Sequence, residues 1–431
     1  MPSLSRLSLL LALALSAPLS AHAIDFSAQE LARAKALQQR LLTLDSHLDT
    51  PANFGRDGFD IEQRHDRNAL SQVDYPRMVE GGLDGGFFAI YTDQGDRTAA
   101  AHLAERDHGL QRLLEIREML AANPERFALA LTADDAARIK AAGKRVVYIS
   151  MENASPLVED PSLLSFYHRA GLRLLSTVHF ANNEFADSAT NPKGPEWNGL
   201  SPAGRALVNE AVKRGIVIDQ SHASDAVFDQ LLELSRAPIV LSHTSADAVY
   251  DHPRNIGDAR IRQLAAKGGV IHVNAYGGYL VDIPKVPERE AALEALSEKF
   301  GPEERLPTSR VTAYLSERRA IEARYPVKRA TFDDYMSHLL HIIRVAGVDH
   351  VGIGADWDGG GGVVGFAEMT RAKPDGYTIG TWTPGPGISQ IVAGNTPYKM
   401  SDYQSVGGML INDFVLAARG DIPATNLKEF A

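Results

Sequence analysis

The sequence predicts an α/β fold, a (β/α)8 barrel of the TIM type, on three observations. Eight short runs rich in Val, Ile and Leu recur along the chain, segments of helical pattern separate them, and several runs end in a histidine or a carboxylate. Continuous apolar strands alternating with helices indicate a parallel sheet covered on both faces. Eight such strands favour a closed barrel over an open doubly wound sheet.

Taken in order, an amphipathic stretch over 28–42 reads as a helix and leads into the first run, 41–48. The other runs fall at 84–91, 145–152, 172–179, 215–222, 238–243, 269–275 and 350–356. Helical pattern covers 99–120, 204–214, 226–235 and 258–266 between them. Residues 285–344 form a long charged insertion before the eighth run, expected to be mostly helical. The chain has 431 residues, 44% of them hydrophobic and 23% charged, enough for one large barrel with insertions or for two domains. A formal net charge of -10 argues against a nucleic-acid partner, which would need a basic face.

At the N-terminus, Arg6 precedes a mostly apolar run, 7–19, and Ala21-His22-Ala23 supplies a small-x-small cleavage pattern. The run is shorter than the ~20 residues that span a bilayer. Residues 1–23 are therefore read as a signal peptide, with the mature chain starting near Ile24, exported to the periplasm or secreted, and without a stable membrane anchor. The chain has no cysteine, so it offers neither a lipoprotein attachment site nor a disulfide. Its stability must come from the core and from bound metal.

Ligand-type residues close six of the runs. The first ends Asp45-Ser46-His47-Leu48-Asp49, the third Ser150-Met151-Glu152, and the fourth Thr177-Val178-His179. The fifth ends Asp219-Gln220-Ser221-His222, the sixth Leu241-Ser242-His243 and the eighth Gly354-Ala355-Asp356. In a barrel, the C-terminal strand ends converge on one mouth. His47 and Asp49 lie two apart, which puts both side chains on one side of a strand. Imidazole nitrogen with carboxylate oxygen suits zinc. Glu152 could bridge two ions through its two oxygens, with His222 and His243 serving the second. Two such ions would activate a shared water toward a carbonyl, with Asp356 placed to orient that water and pass its proton to a leaving amine. A lone His-x-Asp is more often a strand-end hydrogen bond than a metal site, and a lone histidine in an apolar run is ordinarily a core residue. Packing does not explain the full set, because a buried charge without a partner costs several kcal/mol.

The segments Asp45-Ser46-His47-Leu48-Asp49-Thr50-Pro51, Gln72-Val73-Asp74-Tyr75-Pro76-Arg77-Met78 with Glu80-Gly81-Gly82, Asp219-Gln220-Ser221-His222, Ser242-His243-Thr244-Ser245-Ala246, Arg254-Asn255 and the stretch 351–359 resemble the membrane (renal-type) dipeptidase family of zinc metallopeptidases. The resemblance runs in order over about residues 40–360. It implies a barrel of the metal-dependent hydrolase kind and two zinc ions, one on His47 and Asp49, the other on His222 and His243, with Glu152 bridging. It further implies that His179 contacts the substrate carbonyl oxygen, that Arg254 grips the free carboxylate, and that Asp356 shuttles the proton. Family members cleave dipeptides, often with a D-residue at the C-terminal position, so a small dipeptide is the expected partner; a homodimer is left open. Other functions left open are a different binuclear amidohydrolase, acting on an amide or a lactone, and a non-catalytic periplasmic binding protein. Asn153 follows Glu152 where the family usually has glycine, Ala355 and Trp357 are mild variations, and the 285–344 insertion is longer than in the animal enzymes.

After Asp358 the sequence departs from this family. The glycine run 359–362 and the segment Lys373-Pro374-Asp375-Gly376-Tyr377-Thr378 resemble an internal piece of a periplasmic tricarboxylate-type solute-binding protein. The expected organisation is thus a signal peptide over 1–23, a dipeptidase-like barrel over 24–358 and an atypical tail over 359–431, joined near 359–362.

Overall fold

The computed structural model describes residue 33 and residues 36–65, 71–301 and 306–359. The expected signal peptide, most of the expected first helix and the tail from 360 onward lie outside the described residues.

Nine strands form one sheet: β1 (Leu44–Leu48), β2 (Gly85–Tyr91), β3 (Phe127–Leu129), β4 (Arg145–Glu152), β5 (Leu172–Ser176), β6 (Val217–Asp219), β7 (Val240–Leu241), β8 (Val270–Val273) and β9 (Val351–Ile353). Eight follow the order β1-β2-β4-β5-β6-β7-β8-β9, all parallel, and these are the eight apolar runs of the sequence. The short strand β3, which no apolar run marks, pairs with β4 off this path. Beyond β9 the chain returns to β1. Leu48 and Trp357 form a parallel bridge, and the Asp49 amide donates to the Trp357 carbonyl at 2.9 Å. This nearly closes the barrel.

The helices are α1 (Tyr75–Gly81), α2 (Ala99–Ala122), α3 (Ala133–Ala141), α4 (Leu163–Ala170), α5 (Pro202–Lys213), α6 (Asp225–Leu234), α7 (Asp258–Ala266), α8 (Pro287–Phe300), α9 (Thr308–Arg324) and α10 (Phe332–Ala346). Local chemistry sets several starts. Asp74, Ser201 and Ser224 each accept a backbone N–H of the first turn, and Pro202 occupies an N-terminal position of α5 where its missing N–H costs nothing. Thr331 and Asp334 form a capping box at the start of α10.

The main core gathers Phe88, Ile149, Leu175, Ile218, Leu241 and Ile271 from the strands with Ile116, Val208, Phe228 and Ile261 from the helices. Each such side chain contributes roughly 1.5–3 kcal/mol by leaving water. Within 285–344, α8 and α9 share a separate small core of Leu296, Phe300, Leu306, Val311, Tyr314 and Leu315. In contrast, α10 sends Tyr335, Leu339 and Ile342 into the main core. The last part of the charged segment is thus a helix of the barrel itself, and the excursion from it is a helical pair.

The first three runs end where their strands end, but from β5 onward the strands stop earlier than their apolar runs. Ser176 ends β5 three residues before His179, and Asp219 ends β6 three residues before His222. The reason is backbone geometry at the mouth. His222 and Asp356 take positive φ values of 72° and 63°, which no ladder strand accommodates and which turn their side chains inward. At Gly354 a Cβ would lie 1.7 Å from the Ser242 carbonyl oxygen, so only glycine lets the chain after β9 pass this close to the end of β7.

Candidate metal centre

The candidate ligands sit at the ends of strands or just beyond them. The Asp45 carboxylate, fully buried, accepts the His47 amide at 2.9 Å and the Ala355 amide at 3.3 Å, tying the end of β1 to the turn after β9. Asn153, at φ 67°, supports the end of β4. Its side chain donates to the Thr92 carbonyl at 3.0 Å and accepts from the Ser155 hydroxyl and from Asn183. Asparagine tolerates this left-handed conformation. Its amide is thus spent on partners inside the protein.

Around Glu152 the ring nitrogens converge. His47 Nε2 lies 3.2 Å from Glu152 Oε2 and 3.4 Å from Asp49 Oδ2. On the other side, Glu152 Oε1 faces His222 Nε2 at 3.1 Å, His243 Nε2 at 3.4 Å and His179 Nε2 at 3.8 Å. Three groups have ligand atoms mutually close enough to hold a metal ion: His47, Glu152 and His243; Glu152, His179 and His222; and His47, Asp49 and Asp356. Every metal residue expected from the sequence is in this cluster, and His179 and Asp356 join it.

The donor set fits a cation. It is made of nitrogen and oxygen alone, and three of its buried polar atoms, His47 Nε2, Asp49 Oδ1 and His222 Nδ1, have no hydrogen-bond partner. Electrostatics agree. Burial lowers His222 and His243, the latter to about 4, and neighbouring positive groups (Arg254 for His222, His47 for His243) lower them further, so both rings are neutral and offer lone pairs. Burial alone would raise Glu152, but the neighbouring His47 and His179 hold its carboxyl well below the usual range. Desolvation, then the adjacent Asp49 carboxylate, push Asp356 up to about 8.

Arg254 completes the site. Its guanidinium is buried, with Nη2 donating to the His243 carbonyl at 3.0 Å and its carbon 5.1 Å from the Tyr279 ring centroid. It makes no ion pair among the described residues, and its Nε has no hydrogen-bond partner. Burying a cation without a carboxylate partner is costly.

Sequence reasoning assigned no role to several neighbours. Tyr91 stands edge-on to the His179 ring, and Phe180, half exposed, lies 3.8 Å from it between centroids. Ser242 and Asp219 stand behind His243. Both belong to segments singled out for their histidines, and a buried carboxylate at a strand end was the available signal.

Comparisons with known proteins show the family and the fold. Residues 31–374 match the family described as membrane dipeptidase (peptidase family M19), and residues 353–431 match the tripartite tricarboxylate transporter family receptor. Dipeptidase tcpJ of Claviceps purpurea is 28% identical over 307 residues, covering 70% of this chain and 62% of that protein. Dipeptidase verJ of Clonostachys rogersoniana is 27% identical over 338 residues, covering 76% of this chain and 75% of that one. Among solved structures, the probable dipeptidase PvdM from Pseudomonas aeruginosa superposes with a TM-score of 0.66 at 27% identity, over 81% of this chain and 94% of that one. A metallo peptidase from Rhodobacter sphaeroides, liganded with a phosphinate mimic of the dipeptide L-Ala-D-Ala, shares the fold with a TM-score of 0.55 at 24% identity, over 79% and 96%. With the family match spanning the barrel and every strand-end residue just described, the chain belongs to the membrane dipeptidase family, peptidase family M19.

Proposed function

We propose that this protein hydrolyses dipeptides, including those with a C-terminal D-residue, using two zinc ions. His47 and Asp49 would hold one ion, His222 and His243 the other, and Glu152 both. When bound, such ions polarise a carbonyl and make a water nucleophilic near neutral pH. The observation that carries the substrate class is Arg254, a buried guanidinium without an ion pair among the described residues, anchored on the carbonyl of His243. It binds the substrate's free carboxylate and so fixes the scissile carbonyl over the cluster. His179, backed by Tyr91 and facing Glu152, contacts the carbonyl oxygen as charge develops there. Asp356, a carboxyl with raised proton affinity beside Asp49, takes the proton and passes it to the leaving amine. The relative bearing an L-Ala-D-Ala mimic supports a dipeptide of this stereochemistry as the first substrate to try.

The test is hydrolysis of L-Ala-D-Ala beside its C-terminal amide, with zinc measured per chain. Turnover of the free dipeptide, weak turnover of the amide and about two zinc ions agree with the proposal. Equal turnover of both would overturn the carboxylate role and favour a broader amidohydrolase.

The N-terminal pattern at 1–23 supports export, and the two family matches, overlapping only at 353–374, support a junction between a dipeptidase barrel and a receptor fragment. Limited proteolysis is expected to remove the tail and leave a fragment ending near residue 359. A tail as resistant as the barrel would contradict the junction.

A further inference from the structure

His243 differs from the other rings of the cluster in what stands behind it. Its Nδ1 lies 2.7 Å from Ser242 Oγ, and Ser242 Oγ lies 2.5 Å from Asp219 Oδ2. Asp219 is itself fixed: its Oδ1 accepts the backbone amides of Ser221 at 3.0 Å and Ser242 at 2.9 Å. All three side chains are buried, with Ser242 fully so. His222, by contrast, has an Nδ1 with no hydrogen-bond partner.

The direction of the chain follows from proton counting. A serine hydroxyl has one hydrogen, and an ionised carboxylate only accepts. The short contact therefore has Ser242 donating to Asp219; the alternative acceptor, Ser221 Oγ, lies at 3.4 Å. With its hydrogen committed, Ser242 Oγ accepts from the ring, which places the proton of His243 on Nδ1. Nε2 is left as a bare lone pair, aimed toward Glu152 and His222.

We propose that Asp219 and Ser242 are positioning residues whose hydrogen-bond relay fixes the Nδ1–H tautomer of His243, presenting Nε2 to the metal. The proposal rests on the reading of His243 as a metal ligand, and it is independent of which substrate is cleaved. Residues behind a ligating histidine set its tautomer and typically change metal affinity 10–100-fold when lost. Asp219→Asn is the sharper probe. An asparagine amide turned toward Ser242 donates to its hydroxyl, the hydroxyl then donates to Nδ1, and the ring proton moves to Nε2, where it points at the ligand cluster.

The experiment uses the full chain labelled with 15N-histidine, freed of metal by dialysis against a chelator, with a cooperative melting transition as the control for folding. Ring nitrogen shifts report the tautomer, and competition with a chromophoric chelator reports zinc affinity. The wild-type ring is expected as Nδ1–H and Asp219→Asn as Nε2–H. Ser242→Ala is expected as a mixture, and both variants should bind zinc about 10–100-fold more weakly. Retention of Nδ1–H in both variants would overturn the relay. A changed tautomer with unchanged zinc affinity would overturn its role toward the metal. If Asp219→Asn does not fold, Ser242→Ala, which removes a single oxygen, carries the test. Failure to cleave dipeptides with these readouts intact would instead count against the proposed substrate.

Discussion

His222 and His243, carried by the turns after neighbouring strands, bring their Nε2 atoms to 2.8 Å of each other while both face the same oxygen of Glu152. Two neutral imidazoles cannot both direct lone pairs into so small a space without a shared positive partner. Glu152 is the one carboxylate common to the two clusters that contain these rings. Glu152→Gln is therefore expected to lower bound metal from about two ions to one or fewer and kcat/KM by about 1000-fold or more, several kcal/mol of lost charge stabilisation. Metal analysis after gel filtration, beside a dipeptide assay, checks both.

Arg254 predicts a split between binding and chemistry. Arg254→Met keeps an unbranched apolar side chain and removes the guanidinium that lies over Tyr279 together with its donors. Loss of one partner from a buried charge pair costs about 2–5 kcal/mol, so KM for a dipeptide should rise roughly 30- to 5000-fold. A neutral amide should be affected far less. Parallel kinetics on the two substrates give the answer, and an equal loss on both would refute the carboxylate role.

Asn153 allows backbone and side-chain effects to be separated. Asn153→Gly keeps the left-handed turn and loses the amide links to Thr92, Ser155 and Asn183, an expected cost of about 1–3 kcal/mol. Asn153→Ala also loses these and adds about 1–2 kcal/mol of strain at φ 67°. Denaturant midpoints should therefore fall in the order wild type, glycine variant, alanine variant.

His338 on α10, which is not among the candidate metal ligands, predicts a pH effect on stability. Its Nδ1 accepts the Ala246 amide at 3.0 Å and its Nε2 donates to the Leu280 carbonyl at 3.0 Å. Protonation would set an N–H against the Ala246 N–H, and burial lowers the ring below its ordinary value of 6.5. As pH falls through 6.5 the unfolded chain takes up a proton that the folded one refuses, so stability is full above this pH and is lost below it. His338→Asn, which keeps an acceptor near Ala246, should be less stable at pH 7.5 and should lose less on going to pH 5.5. Paired melting curves at the two pH values measure the difference; equal slopes would show that His338 does not titrate.

Much of this site is legible in the order of the residues along the chain. Val, Ile and Leu runs such as those around Ile149 and Ile218 are too continuous for half-exposed strands, and their spacing with helices leaves few topologies. The strand-end positions of His47, Glu152, His222 and His243 then follow from the architecture. The helical pair α8 and α9 is legible as helix but not as a unit apart from α10, because burial against one core or another is a property of neighbours distant in sequence.

By itself the sequence determined the barrel, the ligand types and their gathering at one mouth, since periodicity and strand direction are local properties that repeat along the chain. Only the tertiary structure decided that Glu152 stands between the histidines, that Arg254 is buried without a carboxylate, and that Asp219 and Ser242 stand behind His243. Those facts depend on distances between residues tens to hundreds of positions apart, and on two left-handed turns that aim His222 and Asp356 inward. Hydrophobic patterning specifies which face is buried; it carries no information about which polar atoms meet once the barrel closes.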